Sequence, residues 1–278
     1  MSLRITTLVE NTIGENLALQ AAHGLSFLIE DNGRSYLFDL AQHDLVINNA
    51  EQLGLDLSQL DKVIISHNHY DHGGGLKDLI NSFGPQDIIV HEGFFKDKYG
   101  IEKIKMEYLG INYNQELLLE TGSKIKEISN DITYISDNVF IAANFERRTD
   151  FERINQRFYI KDNNELVVDQ FSDEIAVGVK SEKGLIILLG CSHPGMVNMI
   201  SSIIERTGMD DIYCILGGTH LVEGDEERIN KTLQYIKDLD VDYIGISHCT
   251  GNKAEGIFKA ALPERFFANN TGTSIEII

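Results

Sequence analysis

The chain has 278 residues, 43 acidic against 24 lysine or arginine, for a formal net charge of -19 at pH 7. A surface this acidic disfavours sequence-independent binding to nucleic acid, which needs a positive face. Hydrophobic content of 42% and charged content of 24% are ordinary for a water-soluble globular protein, and the length allows one large or two small domains with a sizeable core.

Three cysteines, Cys191, Cys214 and Cys249, form no C-x-x-C pair. Their odd count argues against a disulfide framework and for a reducing, cytoplasmic location. Cys191 and Cys249 stand beside His193 and His248, where either could line a site, whereas Cys214 lies in an apolar run and reads as core. No signal peptide is read at the N-terminus, which runs straight into a strand pattern, and no apolar run reaches the ~18 residues of a membrane span.

In chain order, residues 5–9, 25–30 and 35–39 read as strands, the last two joined by the hairpin turn Asp31-Asn32-Gly33. Residues 44–53 follow helical periodicity and stop at Gly54. The unbroken β-branched run Lys62-Val63-Ile64-Ile65 reads as a buried strand, and Leu76-Lys77-Asp78-Leu79-Ile80 has helical spacing. A strand at 87–90 leads into His91. From about 92 to 171 the pattern loosens into short strands (116–120, 132–135, 139–142) mixed with polar, charged and helical pieces. This stretch reads as a substrate-shaping insertion in a single domain spanning 1–278. Strands at 174–180 and 184–189 form a second hairpin. They are followed by a helix (196–206), a strand (212–216), a helix (226–239), a strand (241–246), a helical piece (253–260) and a last strand (274–278). Three prolines and no Ser/Gly tract argue against a hinged two-domain chain.

The most informative stretch is His67-Asn68-His69-Tyr70-Asp71-His72, set between the strand at 62–65 and Gly73-Gly74-Gly75. His67 and His69, two apart in an extended segment, point to one side and can grip one metal. Asp71 and His72 come as the backbone turns and can aim at a second position nearby. Imidazole suits zinc, iron or manganese, and a carboxylate adds hard-oxygen character. The glycines permit close backbone approach at the loop-to-helix junction. Three further histidines follow apolar strands: His193 in Gly190-Cys191-Ser192-His193, His220 in Gly217-Gly218-Thr219-His220, and His248 in Ser247-His248-Cys249-Thr250-Gly251. Four strand ends converging on one sheet edge would collect enough side chains for two metals.

These motifs resemble the metallo-β-lactamase superfamily, whose signature H-x-H-x-D-H stands here as His67, His69, Asp71 and His72. The resemblance covers nearly the whole chain. Together with His23-Gly24-Leu25-Ser26, Gly217-Gly218-Thr219-His220-Leu221 and His248-Cys249-Thr250-Gly251, it points to the branch named for 7,8-dihydropterin-6-methyl-4-(β-D-ribofuranosyl)aminobenzene-5′-phosphate synthase and related metal-dependent hydrolases. The resemblance implies an αββα sandwich with a dinuclear site at one edge, zinc being expected before manganese or iron. It implies His67, His69 and His193 around the first ion and Asp71, His72 and His248 around the second, with Asp39 orienting a ligand histidine rather than binding metal. Many superfamily hydrolases have a bridging Asp after the strand that ends here at Leu216. This chain has Gly218 there, so His220 either replaces that ligand, or contacts substrate as an acid/base, or is structural.

A coordinated water with its pKa lowered to about 7 makes hydrolysis the most direct chemistry, of a phosphodiester, thioester or similar electrophile. Asp71 is expected to tune the nucleophile. The synthase resemblance implies instead that the ions hold the diphosphate of a dihydropterin as it leaves. Arg147, Arg148, Arg153 and Arg157, with Lys161 beyond, cluster in the middle region. Arg147 and Arg148 are the expected grip on a small anionic substrate, against the alternative of a solvated face neutralised by Glu146, Asp150 and Glu152. Phe145, Phe151, Phe158 and Tyr159 either wall a pocket or pack. His91 reads as supporting or structural, His23 as facing the site from the other half, and His43 as surface. The same residues also fit two rival readings: an iron-containing oxidoreductase on the same fold, and a non-catalytic metal-binding sensor.

Overall fold

The computed structural model describes residues 2–277, so Ile278, the last residue of the strand expected at 274–278, lies outside them. Alternation within single strands decides the layering. In Gly184–Leu189, Ile186 and Leu188 join one core while Leu185, Ile187 and Leu189 join another, and all five are buried. A strand apolar on both faces has to lie between two layers.

One sheet has seven strands in the order Ser274–Ile277, Leu3–Val9, Ser26–Asp31, Arg34–Phe38, Lys62–Ile64, Asp87–His91 and Lys124–Ile128. The other has six, in the order Tyr243–Ser247, Ile212–Gly218, Gly184–Leu189, Ala176–Ser181, Val139–Ala142 and Ile132–Tyr134. Each sheet is antiparallel on one side and parallel on the other. Phe27, Phe38 and Ile64 of the first sheet share a core with Val177, Ile186 and Leu216 of the second. Helices Leu45–Gln52 and Leu76–Phe83 cover the outer face of the first sheet. Met196–Thr207, Glu226–Asp238 and Asn252–Ala261 cover that of the second. The architecture is the αββα sandwich.

Two local features hold the edge where the chain leaves its strands. Gly75 sits so close to its surroundings that a Cβ there would lie 2.5 Å from the Leu40 carbonyl oxygen and 2.6 Å from that of His43. Helix Met196–Thr207 has no capping side chain of its own. The carboxylate of Glu152, brought from the middle region, accepts the Val197 and Asn198 N–H groups at 2.8 and 2.9 Å.

The middle region departs from expectation in two places. Residues 116–120 form a helix, Gln115–Glu120, not a strand: Asn114 Oδ1 accepts the Leu117 N–H at 3.0 Å and caps it. The stretch 92–171 is also not one continuous insertion. Its pieces Lys98–Glu102, Lys105–Tyr108, Phe158–Asp162 and Glu165–Val168 make a separate four-stranded sheet, while Lys124–Ile128 extends the first large sheet and Ile132–Tyr134 and Val139–Ala142 extend the second.

Candidate active site

The histidine loop bends at His67 and Asn68, the His69 N–H donating to the His67 carbonyl at 2.9 Å, and then makes one helical turn, Tyr70–Gly73, that carries Asp71 and His72. His67 Nε2 and His69 Nδ1 lie 3.0 Å apart. The His193 ring stands 5.0 and 5.1 Å from theirs, and it is stacked on Phe171 at 3.8 Å. Burial, followed by the charge of neighbouring groups, holds all three imidazoles well below their ordinary pKa. They are therefore in the neutral form that offers a lone pair. His69 Nε2 and His193 Nε2 are buried with no hydrogen-bond partner among the described residues, a costly arrangement unless a cation completes it.

A second cluster forms around Asp71. Its Oδ2 lies 3.0 Å from His23 Nε2, 3.4 Å from His248 Nε2 and 3.7 Å from His72 Nε2. Burial opposes the charge of this carboxylate, but His72, His23 and His248 outweigh it and hold Asp71 well below the usual carboxylate range. His72 donates Nδ1–H to Asp39 Oδ2 at 2.6 Å, which leaves Nε2 3.2 Å from Cys191 Sγ. Burial disfavours a charged His72, yet Asp39 and Asp71 carry its pKa up to about 9. Asp39 also accepts from the N–H and Oγ of Ser66 at 2.7 and 2.8 Å, and so fixes the start of the histidine loop. His248 donates its backbone N–H to Glu10 Oε1 at 2.7 Å and has Nδ1 3.0 Å from Asn11 Oδ1.

Buried acidic and basic side chains brace the first cluster from behind. Glu174 accepts the backbone N–H groups of Ser192 and His193, the latter at 2.8 Å. Burial pushes its carboxyl up to about 8 against the pull of those N–H groups. Asp173 Oδ2 accepts the Asn68 N–H at 3.0 Å, and its other oxygen lies 2.6 Å from Lys98 Nζ, which also meets Asp169 at 2.9 Å. Burial works against the charge of Lys98, but the two carboxylates raise its pKa.

Both clusters open into one cleft of about 650 Å³, walled in part by Tyr70, Lys105, Arg157 and Phe158, a size suited to a small molecule. His220 reaches it from a left-handed backbone position (φ 49) with Nδ1 3.3 Å from Glu223 Oε2. Burial opposes protonation of His220, and the Glu223 hydrogen bond more than compensates, raising its pKa. Burial likewise works against an ionised Glu223, yet His220, Asn155 and Arg157 bring its carboxyl down to about 2. Arg157 Nη2 lies 2.5 Å from Glu223 Oε1, and its guanidinium stacks 4.4 Å over the Phe158 ring.

The structure thus gathers His67, His69, Asp71, His72, His193 and His248, with His23 and His220, and puts Asp39 behind His72. The arginine expectation is corrected. Arg148 turns outward to Glu146 and Glu205, and Arg147 donates to the Gln170 carbonyl at 2.7 Å; neither lines the cleft. Of that cluster, Arg157 lines it, because the turn before Phe158–Asp162 aims at the opening. Of the aromatics, Phe158 walls the cleft, while Phe145 packs under the helices and Phe151 lies beneath Lys231. His91 pairs with Asn144 at 3.1 Å and takes no part. Glu10, Asn11, Glu174, Glu223 and the Lys98 group went unread. Only Glu10 and Asn11 carried a signal, as polar residues directly after a strand.

A family model described as the metallo-beta-lactamase superfamily matches residues 20–155. The chain is 34% identical over 287 aligned positions, covering 99% of it and 97% of the relative, to a protein of Methanocaldococcus jannaschii called 7,8-dihydropterin-6-methyl-4-(beta-D-ribofuranosyl)-aminobenzene-5'-phosphate synthase. The solved structure of Tm1679, described as a metal-dependent hydrolase of the beta-lactamase superfamily, superposes with a TM-score of 0.86 at 28% identity over 99% of both chains. The Bacillus subtilis metallo-beta-lactamase fold protein YhfI shares the fold alone, with a TM-score of 0.58 at 14% identity over 100% of both chains. Among the described residues no helix is long and apolar enough to cross a membrane. Such folds bind divalent metal, in keeping with the buried His/Asp/Cys clusters here. By the near-complete match to that synthase, the shared superfamily model and the fold, the chain belongs to the metallo-β-lactamase superfamily.

Proposed function

We propose that the protein is a cytoplasmic dinuclear metalloenzyme, zinc-dependent ahead of manganese or iron, that acts on a small phosphate-bearing anion by displacing diphosphate from a dihydropterin. The observation that carries this reading is the pair of buried ligand clusters, His67/His69/His193 and Asp71/His72/His248, opening into one cleft with Arg157 and Lys105 on its rim. The unpartnered Nε2 atoms of His69 and His193, and His248 Nε2 beside Asp71, fit bound cations. Divalent ions there would neutralise phosphate oxygens and lower the pKa of a coordinated water.

The remaining work falls to the protein. Arg157, preorganised by Glu223 and Phe158, offers a planar fork to a phosphate group. Phe158, buried under the Arg157 guanidinium, holds that fork in place at the cleft wall. In the transfer reaction an arylamine nitrogen bonds to the pterin methylene carbon, the carbon–oxygen bond to diphosphate breaks, and the amine loses one proton. His220, backed at Nδ1 by Glu223, is the base we assign to that proton. Asp71, held ionised, accepts a hydrogen bond from the incoming nucleophile. Three strands of the middle region, Lys98–Glu102, Lys105–Tyr108 and Phe158–Asp162, shape the cleft for the substrate.

The identity to the M. jannaschii synthase over nearly all of both chains favours transfer. The likeness to a protein described as a metal-dependent hydrolase favours a second reading, in which water replaces the amine. Metal content of protein purified without added metal should be two ions per chain, with His67→Ala and His248→Ala each losing about one. Diphosphate release from the dihydropterin substrate that depends on a ribosylated aminobenzene phosphate supports the synthase, and release without it supports the hydrolase. Metal-loaded protein inert in both assays would sink the enzyme reading.

A further inference from the structure

We infer that Cys191 is a metal ligand shared by the two halves of the centre, its sulfur joining the imidazole cluster to the Asp71 cluster; this rests on the dinuclear reading above. The warrant is position. Among the described residues, five groupings of side chains bring their ligand atoms within 4.8 Å of one another, and Cys191 Sγ belongs to three of them. One pairs it with His67 and His72, one with His193 and His220, and one with His248 and Cys249. Its sulfur is thus near His67 and His193 of the first cluster and near His72 and His248 of the second.

The spacing to His72 is close to that of two ligands on one ion, shorter by about 0.1 Å. His72 Nε2 stands 3.2 Å from Cys191 Sγ. Two ligand atoms on one tetrahedral zinc, with Zn–N near 2.0 Å and Zn–S near 2.3 Å, are separated by roughly 3.3–3.6 Å. Cys191 is buried yet lines the cleft beside His193 and His248. Among the described residues His193 Nε2 has no hydrogen-bond partner, and His248 Nε2 lies 3.4 Å from Asp71 Oδ2.

The neighbouring backbone is built to keep this sulfur where it is. A Cβ on Gly218 would lie 2.5 Å from the Gly190 carbonyl oxygen, 2.6 Å from Cys249 Sγ and 3.3 Å from Cys191 Cα. Gly218 can therefore carry no side chain into this space, which leaves it open to Cys191. Cys249 has a different task. Its sulfur accepts the His220 N–H at 3.2 Å and points at the Cys191 carbonyl at 3.4 Å, which spends it on the two loops. On metal binding the Cys191 S–H bond breaks, its proton passes to solvent and the thiolate electron pair bonds the cation.

X-ray absorption of the intact zinc-loaded protein tests this without a variant. A sulfur scatterer at about 2.3 Å is expected, along with a sulfur-to-cobalt charge-transfer band in the cobalt-substituted form. Cys191→Ala should lose both signals and about one of the two metal equivalents, and Cys249→Ala should keep both signals. Two ions held by nitrogen and oxygen alone would overturn the thiolate and leave the dinuclear reading standing, whereas protein that takes up no ion removes both. Loss of the sulfur signals in Cys249→Ala with retention in Cys191→Ala would also overturn the assignment.

Discussion

Asp39 Oδ2 and His72 Nδ1 stand 2.6 Å apart with both side chains wholly buried. The same carboxylate accepts from Ser66 at the head of the histidine loop, so one group sets the tautomer of a ligand and the path of the chain that carries it. Asp39→Asn keeps the shape but cannot accept from all three donors. Metal affinity should fall by roughly 10–100-fold, read by competition with a chromogenic chelator. Unchanged affinity would mean that His72 orients itself.

Stripping the metal should destabilise the protein, because the neutral imidazoles of His67, His69 and His193, two of them with an unpartnered Nε2, bind cations only when folded together. At a thousandfold excess over Kd the stabilisation is about 4 kcal/mol. For a chain of this size each kcal/mol moves Tm by roughly 2–4 °C. A melting curve indifferent to chelator would contradict the coupling.

Lys98→Met leaves Asp169 and Asp173 as adjacent buried carboxylates without their cation. The expected loss is about 3–5 kcal/mol in denaturant unfolding. Because Asp173 also holds the Asn68 N–H, metal affinity should drop in the same variant.

Glu152 supplies a pH signature away from the metal ligands. Burial raises its carboxyl pKa above the unfolded value of 4.5, and the Val197 and Asn198 N–H groups only partly offset that. Between those two pKa values the folded chain keeps a proton that the unfolded chain has released, so stability falls as pH rises through that window. Thermal melts from pH 4 upward should show Glu152→Gln losing less Tm than the wild type. Parallel curves would refute the assignment.

Arg157→Ala should raise KM for a phosphate-bearing substrate at least tenfold with a smaller change in kcat, since the guanidinium faces the cleft. Arg148→Ala, whose partners are the exposed Glu146 and Glu205, should alter neither constant and shift stability by no more than about 0.5 kcal/mol.

What could be read from the chain was what is local. The histidine loop declares itself within six residues, and the strand ends bearing His193, His220 and His248 follow runs whose burial on both faces is written in their composition. The middle region resisted because its structure is made by distant partners: Phe158 pairs with Gly100 across the four-stranded sheet. In Gln115–Glu120 a three-leucine run fits a strand or a helix equally, and the Asn114 cap settles it. The arginines misled because charge in a sequence carries no direction, and Glu205, which pairs with Arg148, lies 57 residues away. Glu10 was out of reach for the same reason, its partner His248 being 238 residues further on.

The bond from the Asn68 N–H to Asp173, which is paired in turn with Lys98, fastens the tip of the histidine loop to the strand that begins the cleft wall. Recognition and ion retention therefore share one fastening. A lineage that reshaped this wall for a new substrate would loosen or retighten its hold on the ions in the same step, so altered specificity among relatives should arrive together with altered metal dependence.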